Sequence, residues 1–159
     1  METLWSPWRM KYITDYENPG ECIFCTMPKK QDGPENLIVH REEHCFVILN
    51  RFPYTTGHVM VVPFDHKSTL EALAPVTRAA MMELMTKTIE VMRREYKPQG
   101  FNVGINLGSA AGAGIAEHVH IHIVPRWVGD TNFMSTVGET RVLPEELEAT
   151  YQRLAKAWK

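Results

Sequence analysis

Residues 117–127 read Glu-His-Val-His-Ile-His-Ile-Val-Pro-Arg-Trp, so His118, His120 and His122 alternate with Val119, Ile121 and Ile123. Side chains of a β-strand point alternately to opposite faces. One face of this strand would carry three imidazoles, the other three branched aliphatics. The aliphatic face reads as core. The imidazole face has no packing reason to exist, because a buried histidine needs a partner for each ring nitrogen. The row therefore reads as a functional surface.

Two chemistries use such a row. Residues two apart on a strand sit about 6.5–7 Å apart, so three span about 13 Å. A single metal ion with bonds near ~2 Å takes two neighbours at most. Phosphate chemistry is the other use. One ring attacks phosphorus through a nitrogen that is largely unprotonated near neutral pH, and its neighbours handle charge. The three rings then do different jobs.

Immediately upstream lies the glycine-rich run NLGSAAGAGIAEH, with Gly108, Gly112 and Gly114. Glycines let backbone N–H groups approach phosphate oxygens, and Asn106 and Ser109 add side-chain donors. The Lys-Ser/Thr ending of a P-loop is missing, and the plain alternative is a connecting loop that needs flexible dihedrals.

Working outward, Phe101–Leu107 reads as a fourth strand and Glu117–Val124 as a fifth. The first three are Leu37–His40, Cys45–Asn50 and His58–Val62, separated by turns at Arg41–His44 and Pro53–Gly57. Ser68, with Glu71 three residues on, reads as a capping box that starts a helix. Pro75 begins a fresh helical segment to Tyr96, with Val76, Ala80, Leu84, Thr88 and Met92 on one stripe. Met81, Met82, Met85 and Met92 read as gap-filling core.

Pro144 is expected to open a last helix within 143–159, with Leu143, Leu147, Tyr151, Leu154 and Trp158 in line. Residues 1–20, with Trp5, Trp8, Tyr12 and Tyr16, read as an aromatic arm, and Cys22–Pro34 as a loop. Strands, then a long helix, then strands predict an α+β domain with a mostly antiparallel sheet of about five strands.

The chain has 159 residues, 44% hydrophobic and 23% charged, which suits a single domain with its own core. A net charge of −2 and a pI near 6.4 exclude a nucleic-acid surface built on basic charge, though not a pocket for a small nucleotide. Three cysteines, an odd count, fit a reducing compartment. The start METLWSPWRMKYI has no long apolar core, and no run approaches the ~18 apolar residues of a membrane span. A cytoplasmic protein without membrane contact is expected.

Cys22-Ile23-Phe24-Cys25 has zinc-knuckle spacing but supplies only half a tetrahedral site. The remaining ligands would come from among His40, His44, His58, His66, His118, His120 and His122. Free thiols and a redox pair are the competing readings. Cys45, amid Phe46, Val47 and Ile48, reads as a buried apolar residue.

The run HVHIHIV resembles the His-φ-His-φ-His-φ-φ signature of the histidine triad superfamily of nucleotide hydrolases and transferases. LNRFPYTTGHVMVVP is similar to the superfamily's strand, Asn, turn, Gly-His, strand segment. LWSPWRMKYI, CIFC, GFNVGINLGSAAGAGIAEHVHIHIVPRW and GDTNF resemble its bacterial diadenosine tetraphosphate phosphorylase branch. The resemblance runs from Leu4 to about Phe133.

It implies that His120 is the nucleophile, forming a nucleotidyl-histidine intermediate at the α-phosphorus, and that His122 serves the α-phosphate and leaving group. It implies ribose contacts from Asn50 and phosphate contacts from Asn106, Gly108, Ser109 and the Gly114 position. Relatives with zinc place its ligands at positions that are Cys22, Cys25, His66 and His118 here, with His44 as a substitute and His58 left structural. Gly114 departs from the Gln or Ser that many relatives carry there.

The implied activity is cleavage of dinucleoside polyphosphates, with diadenosine tetraphosphate and inorganic phosphate giving ADP and ATP. Hydrolysis of nucleoside phosphoramidates or adenylylated amines is the enzymatic alternative, and a zinc-stabilised nucleotide sensor the non-enzymatic one. Magnesium is expected only with a polyphosphate substrate. A homodimer is implied, and Trp127 reads as packing.

Overall fold

The computed structural model describes residues 21–131, 135 and 143–159. The aromatic arm expected over 1–20 lies outside the described residues, as do Asn132 and Phe133.

Five strands form one antiparallel sheet: β1 (Ile38–Arg41), β2 (Cys45–Leu49), β3 (Val59–Pro63), β4 (Gly100–Ile105) and β5 (Ile121–Arg126), in the order β1-β2-β3-β5-β4. Among the described residues the α-helices are α1 (Ile23–Thr26), α2 (Pro75–Tyr96) and α3 (Leu147–Ala157). The α+β class and mostly antiparallel sheet match the expectation. No helix among the described residues is long and apolar enough to cross a membrane.

The core is built where β2 and β3, buried along their whole length, meet α2. Phe46, Val59, Ile123, Met81, Leu84 and Met92 are each 1% exposed or less. The helix stripe is Thr77, Met81, Leu84, Thr88, Val91 and Met92, so the predicted stripe is turned at its start. Val76 is 56% exposed and Met82 53%, and neither is core.

Helix α2 starts at Pro75 alone. Ala74 holds an extended ψ of 146°, as the residue before a proline prefers, which breaks any helix arriving from Ser68. Residues 68–73 are turns and bends, with Glu71 exposed, so the expected capping box does not form. The C-terminal helix likewise begins later than Pro144. Tyr96 Oη and Thr150 Oγ1 both donate to the Glu145 carboxylate, pinning the preceding segment against α2. Leu143, outside the helix, is 39% exposed.

Two further departures shape the site. The expected loop over Cys22–Pro34 contains α1 and a following 3-10 turn at Met27–Lys29. The histidine strand begins at Ile121, leaving His118 and His120 ahead of the ladder. There the Val119 N–H donates to the Lys67 carbonyl at 2.7 Å instead of to a strand neighbour.

Candidate active site

His118, His120 and Val119 are all buried, at 0, 4 and 2% exposure, so both sides of this segment are covered. Nδ1 of His120 lies 2.8 Å from the His118 carbonyl oxygen. A carbonyl only accepts, so Nδ1 carries the proton and Nε2 keeps its lone pair. Burial holds the His120 pKa below the ordinary value of 6.5 against the opposing pull of that carbonyl. The ring is neutral at pH 7. His122 stands beside it, ring centroids 4.7 Å apart at 67°.

A second chain of bonds sets the tautomer of His122. The Tyr54 backbone N–H donates to His58 Nδ1 at 3.1 Å, which leaves the His58 proton on Nε2. That nitrogen is 3.0 Å from His122 Nδ1, which accepts and so places the His122 proton on Nε2. Burial, then the neighbouring His120, pushes the His122 pKa down to about 4. The triad thus presents one free lone pair and one N–H donor side by side. His58, 0% exposed, belongs to this arrangement and is more than a packing residue. Its signal in the sequence was the triad's own: a histidine just ahead of a wholly apolar strand has no packing reason.

A cavity of about 1030 Å³ opens beside the triad, walled by Asn102, Asn106, His122, Arg126, Trp127 and Tyr54 among others. Gly104 pairs with His122 across β4 and β5, and no atom lies within 4 Å of where its Cβ would stand. Open space therefore reaches the ring. Trp127 is half-buried and faces this cavity, where packing was expected. Arg126 is held by the Asp130 carboxylate at 2.6 and 2.7 Å and by Asn102 Oδ1 at 2.7 Å.

Of the phosphate candidates, Asn106 lines the cavity and donates to the Gly112 carbonyl at 3.4 Å. Gly108 and Ser109 are exposed on the loop that follows β4, and Gly114 is half-buried further along it. Gly108 (φ 80°) and Gly112 (φ 84°) take left-handed backbone around a 3-10 turn, which explains glycine at both. Asn50 lies at the end of β2. Its Oδ1 accepts from the Phe52 N–H at 2.9 Å and its amide sits 3.4 Å from His58 Nδ1.

Behind the triad, Cys22, Cys25, His66 and His118 bring one ligand atom each to within 4.8 Å of one another. Cys22 Sγ is 3.4 Å from His118 Nδ1, Cys25 Sγ 3.3 Å from His66 Nδ1, and the two Nδ1 atoms 3.3 Å apart. Nε2 of His118 donates to the Pro63 carbonyl at 2.9 Å, leaving Nδ1 as the ligating nitrogen. His66 joins the group; His44 does not.

The family profile of the HIT (histidine triad) domain matches residues 31–128, well over half of the chain. The chain belongs to the HIT family. It is 39% identical over 166 residues to a Mycobacterium tuberculosis protein named AP-4-A phosphorylase, covering 99% of this chain and 85% of that one. It is 32% identical to an Arabidopsis thaliana adenylylsulfatase, HINT3, over 67% of this chain and 53% of the relative. Among solved HIT structures, a zinc-bound histidine triad family protein from Mycobacterium smegmatis superposes with a TM-score of 0.68 at 27% identity. That alignment covers 86% of this chain and 92% of the other.

Proposed function

We propose that this HIT protein is a nucleotidyl transferase that phosphorolyses diadenosine tetraphosphate to ADP and ATP. The observation that carries the reading is His120, held neutral with its proton on Nδ1 and its Nε2 lone pair free, next to a histidine that presents N–H. The likeness to a phosphorylase over 99% of this chain supports the choice of substrate and acceptor.

In this reading Nε2 of His120 attacks the α-phosphorus. An N–P bond forms, and the P–O bond to the departing ATP breaks with its electron pair. The Nδ1–H stays on the ring, and the His118 carbonyl offsets the positive charge gained there. His122 Nε2–H donates to the phosphoryl oxygens as their charge grows, a kind of donor worth roughly 10²–10³ in rate. A phosphate oxygen then attacks, the N–P pair returns to Nε2, and ADP leaves. Asn106 and the Gly108–Ser109 turn serve the phosphate chain, with Asn50 on the ribose side. Magnesium enters only with the polyphosphate.

We assign zinc to Cys22, Cys25, His66 and His118. A tetrahedral site with ~2.05 Å Zn–N and ~2.3 Å Zn–S bonds has ligand–ligand edges of about 3.3–3.6 Å between nitrogens or between nitrogen and sulfur. The separations of 3.3–3.4 Å given above fit those edges. The ion supplies structural crosslinking when bound, tying α1 to the segment after β3. We also read the protein as a homodimer. Among the described residues β4 pairs with β5 alone, leaving an open sheet edge for a second copy, and light scattering at twice 18.2 kDa would bear this out.

The test is incubation of pure protein with diadenosine tetraphosphate, with and without inorganic phosphate, and chromatography of the products. ADP plus ATP formed only with phosphate is the expected result. AMP in both tubes marks a hydrolase instead, and no product in either turns attention to phosphoramidates and then to a sensor. His120→Ala should lose turnover and keep its fold.

A further inference from the structure

Phe24 stands between the two cysteines of the Cys22–Cys25 turn and is 1% exposed, whereas its neighbour Ile23 is 48% exposed. Its ring meets His118 edge-on, centroids 5.4 Å apart at 78°, and lies tilted against His120 at 5.0 Å and 60°. His120 is thus contacted by the His118 carbonyl at Nδ1, by His122 on one side and by Phe24. The hydrogen bond sets the tautomer and anchors one edge of the ring. A second contact is needed to limit rocking about that anchor, because the terminal torsion of histidine is broad. Attack on phosphorus needs Nε2 aimed to within a fraction of an ångström.

Helix α1 is a single turn of four residues, too short to hold itself in place. It is held by the burial of Phe24 in the core and by the flanking cysteines, Cys22 Sγ reaching His118 and Cys25 Sγ reaching His66. We infer that Phe24 is a positioning residue for His120, with the cysteine turn as its mount. This rests on the proposed role of His120 as nucleophile. The metal cluster then reaches the reacting atom without taking part in the reaction: it fixes α1, α1 places Phe24, and Phe24 limits the tilt of His120.

The experiment compares Phe24→Leu with Phe46→Leu, the latter truncating a phenylalanine, 0% exposed, that packs on Phe64. For Phe24→Leu the expected result is a roughly tenfold drop in kcat, with KM within about twofold and metal content unchanged. Phe46→Leu should lower stability with kcat spared. Ring-nitrogen NMR of the resting protein should show His120 sharp in wild type and exchange-broadened in Phe24→Leu. Phe24→Met, whose flexible thioether fills the same space, takes over if the leucine variant loses metal. Unchanged kcat in Phe24→Leu, an equal kcat loss in Phe46→Leu, or an effect on KM alone would overturn the assignment. If wild type does not turn over diadenosine tetraphosphate, the functional reading fails, and the resting His120 spectrum still decides the positioning role.

Discussion

His58 Nε2 lies 3.0 Å from His122 Nδ1, and because the Tyr54 amide already occupies His58 Nδ1, the proton between the two rings belongs to His58. The tautomer of His122 is therefore imposed from a turn that precedes β3, far from it in sequence. His58→Phe removes the donor and frees the His122 ring to protonate either nitrogen. We expect kcat to fall by about 10- to 100-fold, the usual cost of losing a partner that orients a working histidine. His58→Gln, which can still donate, should recover part of it. Unchanged kcat in a folded His58→Phe protein would sink the relay.

The same pair makes stability depend on pH. His122 faces His58 and His120 and is neutral in the fold down to about 4, whereas in the unfolded chain it binds a proton near 6.5. Between these values the unfolded state holds more protons, so stability falls as pH falls. The contribution is complete above 6.5 and is lost progressively towards 4. His120 shifts in the same direction, through burial. Denaturant midpoints taken at pH 7.5, 6 and 5 should decline steadily, and less steeply in His122→Asn. A midpoint that held constant or rose on acidification would contradict this.

The fold class, the five strands and the long helix were legible because their signals are local: an apolar run in HVMVV, alternation in FNVGINL and helical spacing from Pro75 to Tyr96. The start of the histidine strand was not. His118 and His120 lie ahead of the ladder, where the Val119 N–H bonds to the Lys67 carbonyl and Phe24 packs on both imidazoles, and these contacts join distant parts of the chain. A one-turn helix carries no periodicity to announce itself. The place of His58 needed the register that sets Met60 opposite His122. Cys22, Cys25, His66 and His118, the four positions that the family resemblance named, lie together; spacing alone marked the two cysteines, and which histidines complete the group depends on long-range folding.

Purified without added metal, the protein should carry close to one zinc per chain. Cys25→Ser and His66→Ala should each lose the ion and lower stability by several kcal/mol, since binding energy at a structural site is folding energy (on the order of 10 kcal/mol for whole small zinc domains). Cys45→Ala should keep the metal, because Cys45 is buried in β2 outside the cluster. Zinc near zero in an intact fold would remove the four-ligand assignment.

Gly57 offers a test of the relay that leaves every histidine in place. Its φ is 80°, in the left-handed region, and a Cβ there would meet the Met92 Cε at 3.1 Å. Gly57→Ala therefore costs about 1–2 kcal/mol for the backbone conformation. The methionine end can give way, so the contact adds little. Relief of that backbone strain shifts the turn that carries Tyr54 and His58, whose bonds set the His122 proton. We expect a modest loss of denaturant midpoint together with a clear fall in kcat. A variant with the stability loss and normal kcat would show that the His58–His122 geometry tolerates displacement of its turn, and would argue against tautomer control by this route.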